Sequence, residues 1–198
     1  MVKQHQKNSI KPSARRLCMA AGVDRLILLT DSKRQPDPVA LIKRLPAGSV
    51  VIMRDYDHAD RFALASKLRR TCRSADCRFL VAGDARLARR VRADGLHLPE
   101  YMLGGTPADR RGFRFVTAAC HNKRALRRAA GAGVDLALVS PVFATASHPD
   151  AVPLGPCGLS RLISGAKVPV AALGGITHRT AKSLSGHNID AIAVVSAL

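Results

Sequence analysis

The sequence of 198 residues has no tryptophan, two tyrosines and an aromatic share of only 4%. Proteins that bind single-stranded nucleic acid stack bases on aromatic side chains, and that platform is nearly missing. Five cysteines stand at 18, 72, 77, 120 and 157, with no Cys-x-x-Cys pair. An odd count without paired spacing argues against a disulfide framework and against a structural zinc site. A reducing cytoplasm fits that usage. No apolar run reaches the roughly 18 residues that a membrane span requires. Acidic residues are scarce: 14 against 32 Lys and Arg, a net charge of +18.

Such a charge invites a nucleic-acid reading, but its placement argues otherwise. Arg86, Arg89, Arg90 and Arg92 fall on one expected helix, and Lys123, Arg124, Arg127 and Arg128 on another. Spacings of three and four give solvated helix faces. The charge is thus spread around the molecule, where it can draw in small anionic ligands. The start, MVKQHQKNSIKPSARRLCMAAG, is basic and lacks the apolar stretch of a secretory signal. It reads as a loose basic arm over residues 1–24, with a mitochondrial-type presequence as the other reading. Residues 25–198 then form one domain.

Hydrophobic residues make up 47% of the chain, enough for a sizeable core. Short apolar runs predict strands at Arg25–Thr30, Ser49–Arg54, Arg78–Ala82, Gly95–Leu98, Phe113–Ala118, Asp135–Val139, Val168–Leu173 and Ile189–Val195. Between them, helices are expected at Pro38–Leu45, His58–Arg73, Ala85–Ala93, Asn122–Gly131, Leu159–Gly165 and His178–Ser185. Many of the strands are continuously apolar rather than alternating, which indicates burial on both faces and hence a parallel sheet wrapped in helices. Eight such strands close into a (β/α)8 TIM barrel; a doubly wound open sheet is the alternative. The last strand is followed only by Ser196-Ala197-Leu198. The usual closing helix is therefore missing, or supplied by the segment around Pro12–Ala21.

In such barrels the chemistry sits at the C-terminal ends of the strands. Those ends are Asp31, Arg54, Asp84, His97, Ala119–His121, Ser140–Phe143, Gly174–Gly175 and Val195–Ser196. The strongest local signal is AALGGITHRT, in which Gly174 and Gly175 follow a buried strand and lead into a helix. Glycine permits close backbone approach, and a helix start favours anions. With AVVSAL after the last strand, the two turns predict a phosphate cradle. Cys120 beside His121 looks like a nucleophile pair, but adjacent strand residues point to opposite faces. His97 reads as structural.

At this point the chain resembles thiamine-phosphate synthase and its relative TenI, the thiazole tautomerase. The resemblance covers residues 25–198. It rests on LILLTD, the Arg of IMRD, AGDARLARRVRADGLHL, TAACHNKRALRRAAGAGVDLALVSPVFAT and VPVAALGGI…IDAIAVVSAL. It implies a protein of thiamine biosynthesis that takes a small phosphorylated heterocycle, consistent with a cytoplasmic location, no membrane and a homo-oligomer, while nucleic-acid binding is a further alternative that rests only on charge. Family synthases join an aminopyrimidine diphosphate to a thiazole phosphate and release diphosphate with Mg2+.

The thiazole-phosphate side matches. Thr145 and Ser147 fall on the two threonines of the family's Thr-x-Thr-Lys loop, Gly174 and Gly175 on its Gly-Gly turn, and Val195 and Ser196 on the last-strand phosphate pair. The pyrimidine and metal side is degenerate. In the family's Gln-x-Arg-x-Lys stretch only Arg54 is kept, and Tyr56 replaces the Lys. Asp84 is the one matching metal carboxylate; the second falls on Met102, with Glu100 the nearest substitute. Ala119 replaces a Ser, and His148 stands for the Lys of the Thr loop. Diphosphate departure needs compensating charge, so the resemblance implies weakened synthase chemistry. His121, Arg54 and His148 are the candidate catalytic residues. One alternative is a TenI-like tautomerase that uses His121 as its proton carrier. Another is a non-catalytic protein that kept the phosphate cradle and regulates through it.

Overall fold

A computed structural model describes residues 12–105, 109–145 and 150–195. Eight parallel strands close into a barrel in strict sequence order: β1 (Leu26–Leu29), β2 (Val50–Met53), β3 (Arg78–Ala82), β4 (Gly95–Leu98), β5 (Val116–Cys120), β6 (Leu136–Val139), β7 (Val170–Leu173) and β8 (Ala191–Val194). Closure runs through β1 and β8, with Ile27 opposite Ala193. The open-sheet alternative is excluded.

The strands are continuously apolar because each faces two apolar layers. Ile27, Leu29, Ile52, Leu80 and Leu138 point inward and fill the barrel with small residues such as Ala82 and Ala193. The intervening residues, among them Leu28, Val51, Phe79 and Val81, pack outward under the helices. Gly95 is obligatory for packing: a Cβ there would lie 2.0 Å from the carbonyl oxygen of Phe115.

The helices are α1 (Pro12–Ala21), α2 (Pro38–Ile42), α3 (Arg61–Ser74), α4 (Ala85–Arg90), α5 (Lys123–Gly131), α6 (Gly155–Ile163) and α7 (His178–Ala181). Several start on a side-chain cap: Asp37, Asp60, Asp84 and Asn122 each accept the N–H three residues on, which satisfies an orphan donor of the first turn. That is why α3 begins at Arg61 and not at His58. β5 begins three residues later than the apolar run suggested, because its pairing with β4 starts at Val116. A 3-10 turn at Glu100–Gly104 was not anticipated.

The expectation of a loose arm up to residue 24 is corrected from Pro12 onward. α1 packs on α7 and β8, and its Leu17 is wholly buried. It thus covers the seam where β8 meets β1.

A repeated device holds the N-terminal end of the barrel. Asp94, Asp135 and Asp190 each precede an even-numbered strand. Their carboxylates accept the N–H of Phe79, Val116 and Val170 at 2.8, 2.7 and 2.8 Å. These bonds stitch neighbouring strands at the face remote from the mouth. Among the described residues no helix is long and apolar enough to cross a membrane. All five cysteines are free, and Cys157 alone is exposed.

Candidate functional site

The strand order brings the predicted end residues to one mouth. There a cavity of about 610 Å3 opens, lined by Arg54, His97, Ala119, His121, Thr145, Gly174, Gly175 and Val195, with Leu29, Leu138 and Ala193 as its apolar floor. Ser147, His148 and Ser196 lie outside the described residues.

His97 belongs to the floor. Its Nδ1 pairs with the Thr117 hydroxyl at 2.8 Å. Burial, with Arg54 nearby, pushes its pKa down to about 3, so the ring is neutral and acts as a structural element.

His121 is held differently. It follows β5 directly, and its side chain is about half exposed to the cavity. Nδ1 lies 2.7 Å from the carbonyl oxygen of Ser140, at the end of β6. A carbonyl only accepts, so Nδ1 carries the hydrogen and Nε2 is left with the lone pair of the neutral ring. Nε2 is 4.0 Å from a carboxylate oxygen of Glu100. Glu100 is itself fixed by the backbone N–H of His121 at 2.9 Å and by the side-chain amide of Asn122 at 3.2 Å. Cys120 points the other way, into the outer apolar layer. Burial, then the charge of Glu100, pushes its thiol up to about 12, which removes it as a nucleophile.

Arg54 lines the mouth from the end of β2, 3.4 Å from Asp31 at the end of β1. Asp31 also meets Arg34 at 3.6 Å. The adjoining Asp55 is a latch between the same two loops: Thr30 and Ser32 donate to its carboxylate. Burial alone would raise the Asp55 carboxyl; these hydrogen bonds overcome it and hold the group below its ordinary range.

On the side where the metal was expected, Asp84 and Glu100 serve different partners. Asp84 caps α4 through Leu87 and pairs with Arg61 at 3.3 Å. Glu100 faces His121. Among the described residues no group of three His, Cys, Asp or Glu could hold a metal ion. Mg2+ is usually held by only one or two carboxylates plus substrate phosphates, but here both candidate carboxylates already serve protein partners.

Gly174 and Gly175 both have positive φ, +101° and +62°. The close approach at Gly175 is to protein: a Cβ would stand 2.3 Å from the carbonyl oxygen of Ala144. Glycine is thus demanded first by the loop after β6, and through it the turn is pressed against the cavity wall. Beyond it, Thr177 and Thr180 form a reciprocal cap at the start of α7.

Arg34, Arg61 and Tyr101 were not picked out as site residues from the sequence, and Ser140 only as a strand end. Tyr56 and Tyr101 left one usable signal. They are the chain's two tyrosines, and both line the mouth, 45% and 79% exposed.

The family model described as thiamine monophosphate synthase matches residues 26–198. A thiamine-phosphate synthase of Anoxybacillus flavithermus is 30% identical over 174 residues, 82% of this chain and 79% of that one. Another, of Pyrococcus furiosus, is 28% identical over 178 residues, 88% of this chain and 86% of that one. The solved structure of a thiamine phosphate pyrophosphorylase from Pyrococcus furiosus superposes with a TM-score of 0.71 at 22% identity, covering 90% of this chain and 88% of that one. The last similarity bears on the fold.

Proposed function

Because the chain belongs to the thiamine monophosphate synthase family, we propose that it binds a thiazole phosphate, or a similar phosphorylated heterocycle, at the barrel mouth. Its chemistry there is proton transfer on the ring by His121. The phosphate sits against the Gly174–Gly175 turn and Val195, with Thr145 beside them, and the ring lies over the apolar floor. The observation that carries this reading is the His121 Nδ1–H bond to Ser140, which leaves Nε2 as a base next to a carboxylate.

In the step, Nε2 takes a proton from a carbon of the heterocycle while the electron pair moves into the ring. The imidazolium forms beside Glu100, whose negative charge stabilises it. Nε2 then returns the proton at a second ring position, which completes a tautomerisation. The oily floor keeps water from competing for the intermediate. Enzymes of this family use Mg2+ to expel diphosphate, and that half of the family chemistry is weakly supplied here. Arg54 is shared with Asp31, Tyr56 replaces a lysine, and Asp84 is engaged elsewhere.

The test is to incubate the protein with thiazole phosphate, or its carboxylated tautomeric precursor, in D2O and to follow ring deuteration by NMR. His121-dependent exchange supports the reading. Exchange that persists in H121Q would rule out His121 as the base, and binding without any exchange leaves the non-catalytic alternative.

A further inference from the structure

Asp84 is the one acidic residue standing where a metal ligand was expected, and both of its oxygens are committed. Oδ1 accepts the N–H of Leu87 at 2.8 Å as the cap of α4. Oδ2 faces Nη1 of Arg61 at 3.3 Å. Arg61 is anchored on two further sides. Its Nε donates to the carbonyl of Asp55 at 3.0 Å, and its Nη2 to the carbonyl of Ala82 at 3.2 Å. Its guanidinium also lies over the ring of Tyr56, 5.7 Å from the centroid. A planar guanidinium with several fixed donors gives up its place reluctantly.

A divalent ion at Asp84 would have to sit about 2.0–2.1 Å from an oxygen that already faces this guanidinium. The two positive charges would then be a few ångströms apart in a half-buried site, where repulsion is little screened. The other carboxylates described at the mouth are already engaged. Glu100 is held by His121 and Asn122, Asp55 by Thr30 and Ser32, and Asp31 by Arg34 and Arg54.

The geometry points to Arg61 as a tethered replacement for the metal ion. It neutralises Asp84 and ties the ends of β2 and β3 together, so the chain takes its phosphorylated ligand with no divalent cation. This rests on the proposed function only for the nature of the ligand; the exclusion of metal concerns Arg61 and Asp84 alone.

Mn2+ is the probe for the metal, counted by the EPR signal of the free ion, and inorganic phosphate is the probe for the anion. The full chain should leave Mn2+ free, with or without phosphate, and D84N should change nothing. R61Q with phosphate present should gain a Mn2+ site, which R61Q/D84N loses again. Phosphate binding, read by thermal shift, should be the same in EDTA as in excess Mg2+. Mn2+ binding by the unaltered chain that disappears in D84N would overturn the proposal. So would a folded R61Q that binds no Mn2+, or phosphate binding that needs Mg2+. Should R61Q fail to fold, the comparison of the unaltered chain with D84N still decides. Absence of phosphate binding in every condition would instead count against the ligand reading, and the Mn2+ signal would still decide for or against the role of Arg61.

Discussion

The ring of His121 is tied to the backbone of Ser140: 2.7 Å separate Nδ1 from the carbonyl oxygen. The two residues end adjacent strands, β5 and β6, so the barrel itself decides which imidazole nitrogen is free. H121Q removes the base and keeps a polar side chain of similar reach. Ring-proton exchange should fall by roughly 10²–10⁴, the usual contribution of a general base. Affinity for thiazole phosphate should be little changed, since the proposed phosphate contacts lie just after β7 and β8. Exchange rates by NMR and affinity by calorimetry separate the two effects.

Synthase turnover should be slow. Tyr56, Ala119 and Met102 stand where the resemblance places Lys, Ser and Asp, and Asp84 is held by Arg61. Each missing charge-assisted contact to a transferring group removes roughly 10²–10³ in rate, although such losses are not additive. A coupled assay with thiazole phosphate, pyrimidine diphosphate and Mg2+ should read far below the usual enzyme range of about 1–10³ per second. A value inside that range refutes the degenerate-site reading.

Two glycines with positive φ distinguish backbone strain from collision. At Gly165 (φ +74°) a Cβ would meet nothing within 4 Å, whereas at Gly175 (φ +62°) it would meet Ala144. Gly165→Ala should lose about 1–2 kcal/mol, the left-handed penalty alone. Gly175→Ala should lose several kcal/mol, because the loop after β6 must also move. Urea unfolding of both variants measures the difference, and equal losses would show that the loop yields freely.

His97 makes stability depend on pH in a defined window. Its folded pKa of about 3 lies below the ordinary 6.5, so between these values the unfolded chain binds the extra proton. Its contribution is complete above about pH 6.5 and is lost as pH falls toward 3, by about 1.4 kcal/mol per unit. Asp55, whose pKa is lowered, loses its contribution only below the ordinary carboxylate range. Replacing His97 by Gln should flatten the stability profile between pH 6 and 4 in urea unfolding (roughly the span the linkage sets). An unchanged slope would show that other groups carry it.

The absence of tryptophan makes tyrosine emission a direct reporter of the mouth. Tyr56 and Tyr101 are the two tyrosines, and both line the cavity. Thiazole phosphate should change their emission saturably, and Tyr101→Phe with Tyr56→Phe should abolish the signal while the protein remains folded. A ligand that stabilises the fold without altering emission binds somewhere else.

The barrel was readable from the chain because its cause is local and repeated. LILL, VVIM and LALV must each be buried on both faces, and short parallel strands separated by helical stretches have few ways to achieve that. The strand-end rule then located Arg54, His97, His121 and the Gly174–Gly175 turn at one mouth, since every β-strand delivers its last residue to the same end. Some boundaries shifted for side-chain reasons, as when Asp60 caps α3 and delays its start, and others through backbone pairing, as at β5. The partnerships could not be read. Arg61 meets Asp84 across 23 residues, and His121 meets Ser140 across 19. At Gly175 the sequence pattern suggests room for a ligand, and only the fold shows that Ala144 also demands a glycine there. Which charges cancel and which nitrogen stays bare depends on distances of about 3 Å between different loops, and a linear pattern of polarity carries no information at that scale; only closure of the barrel brings those loops within reach.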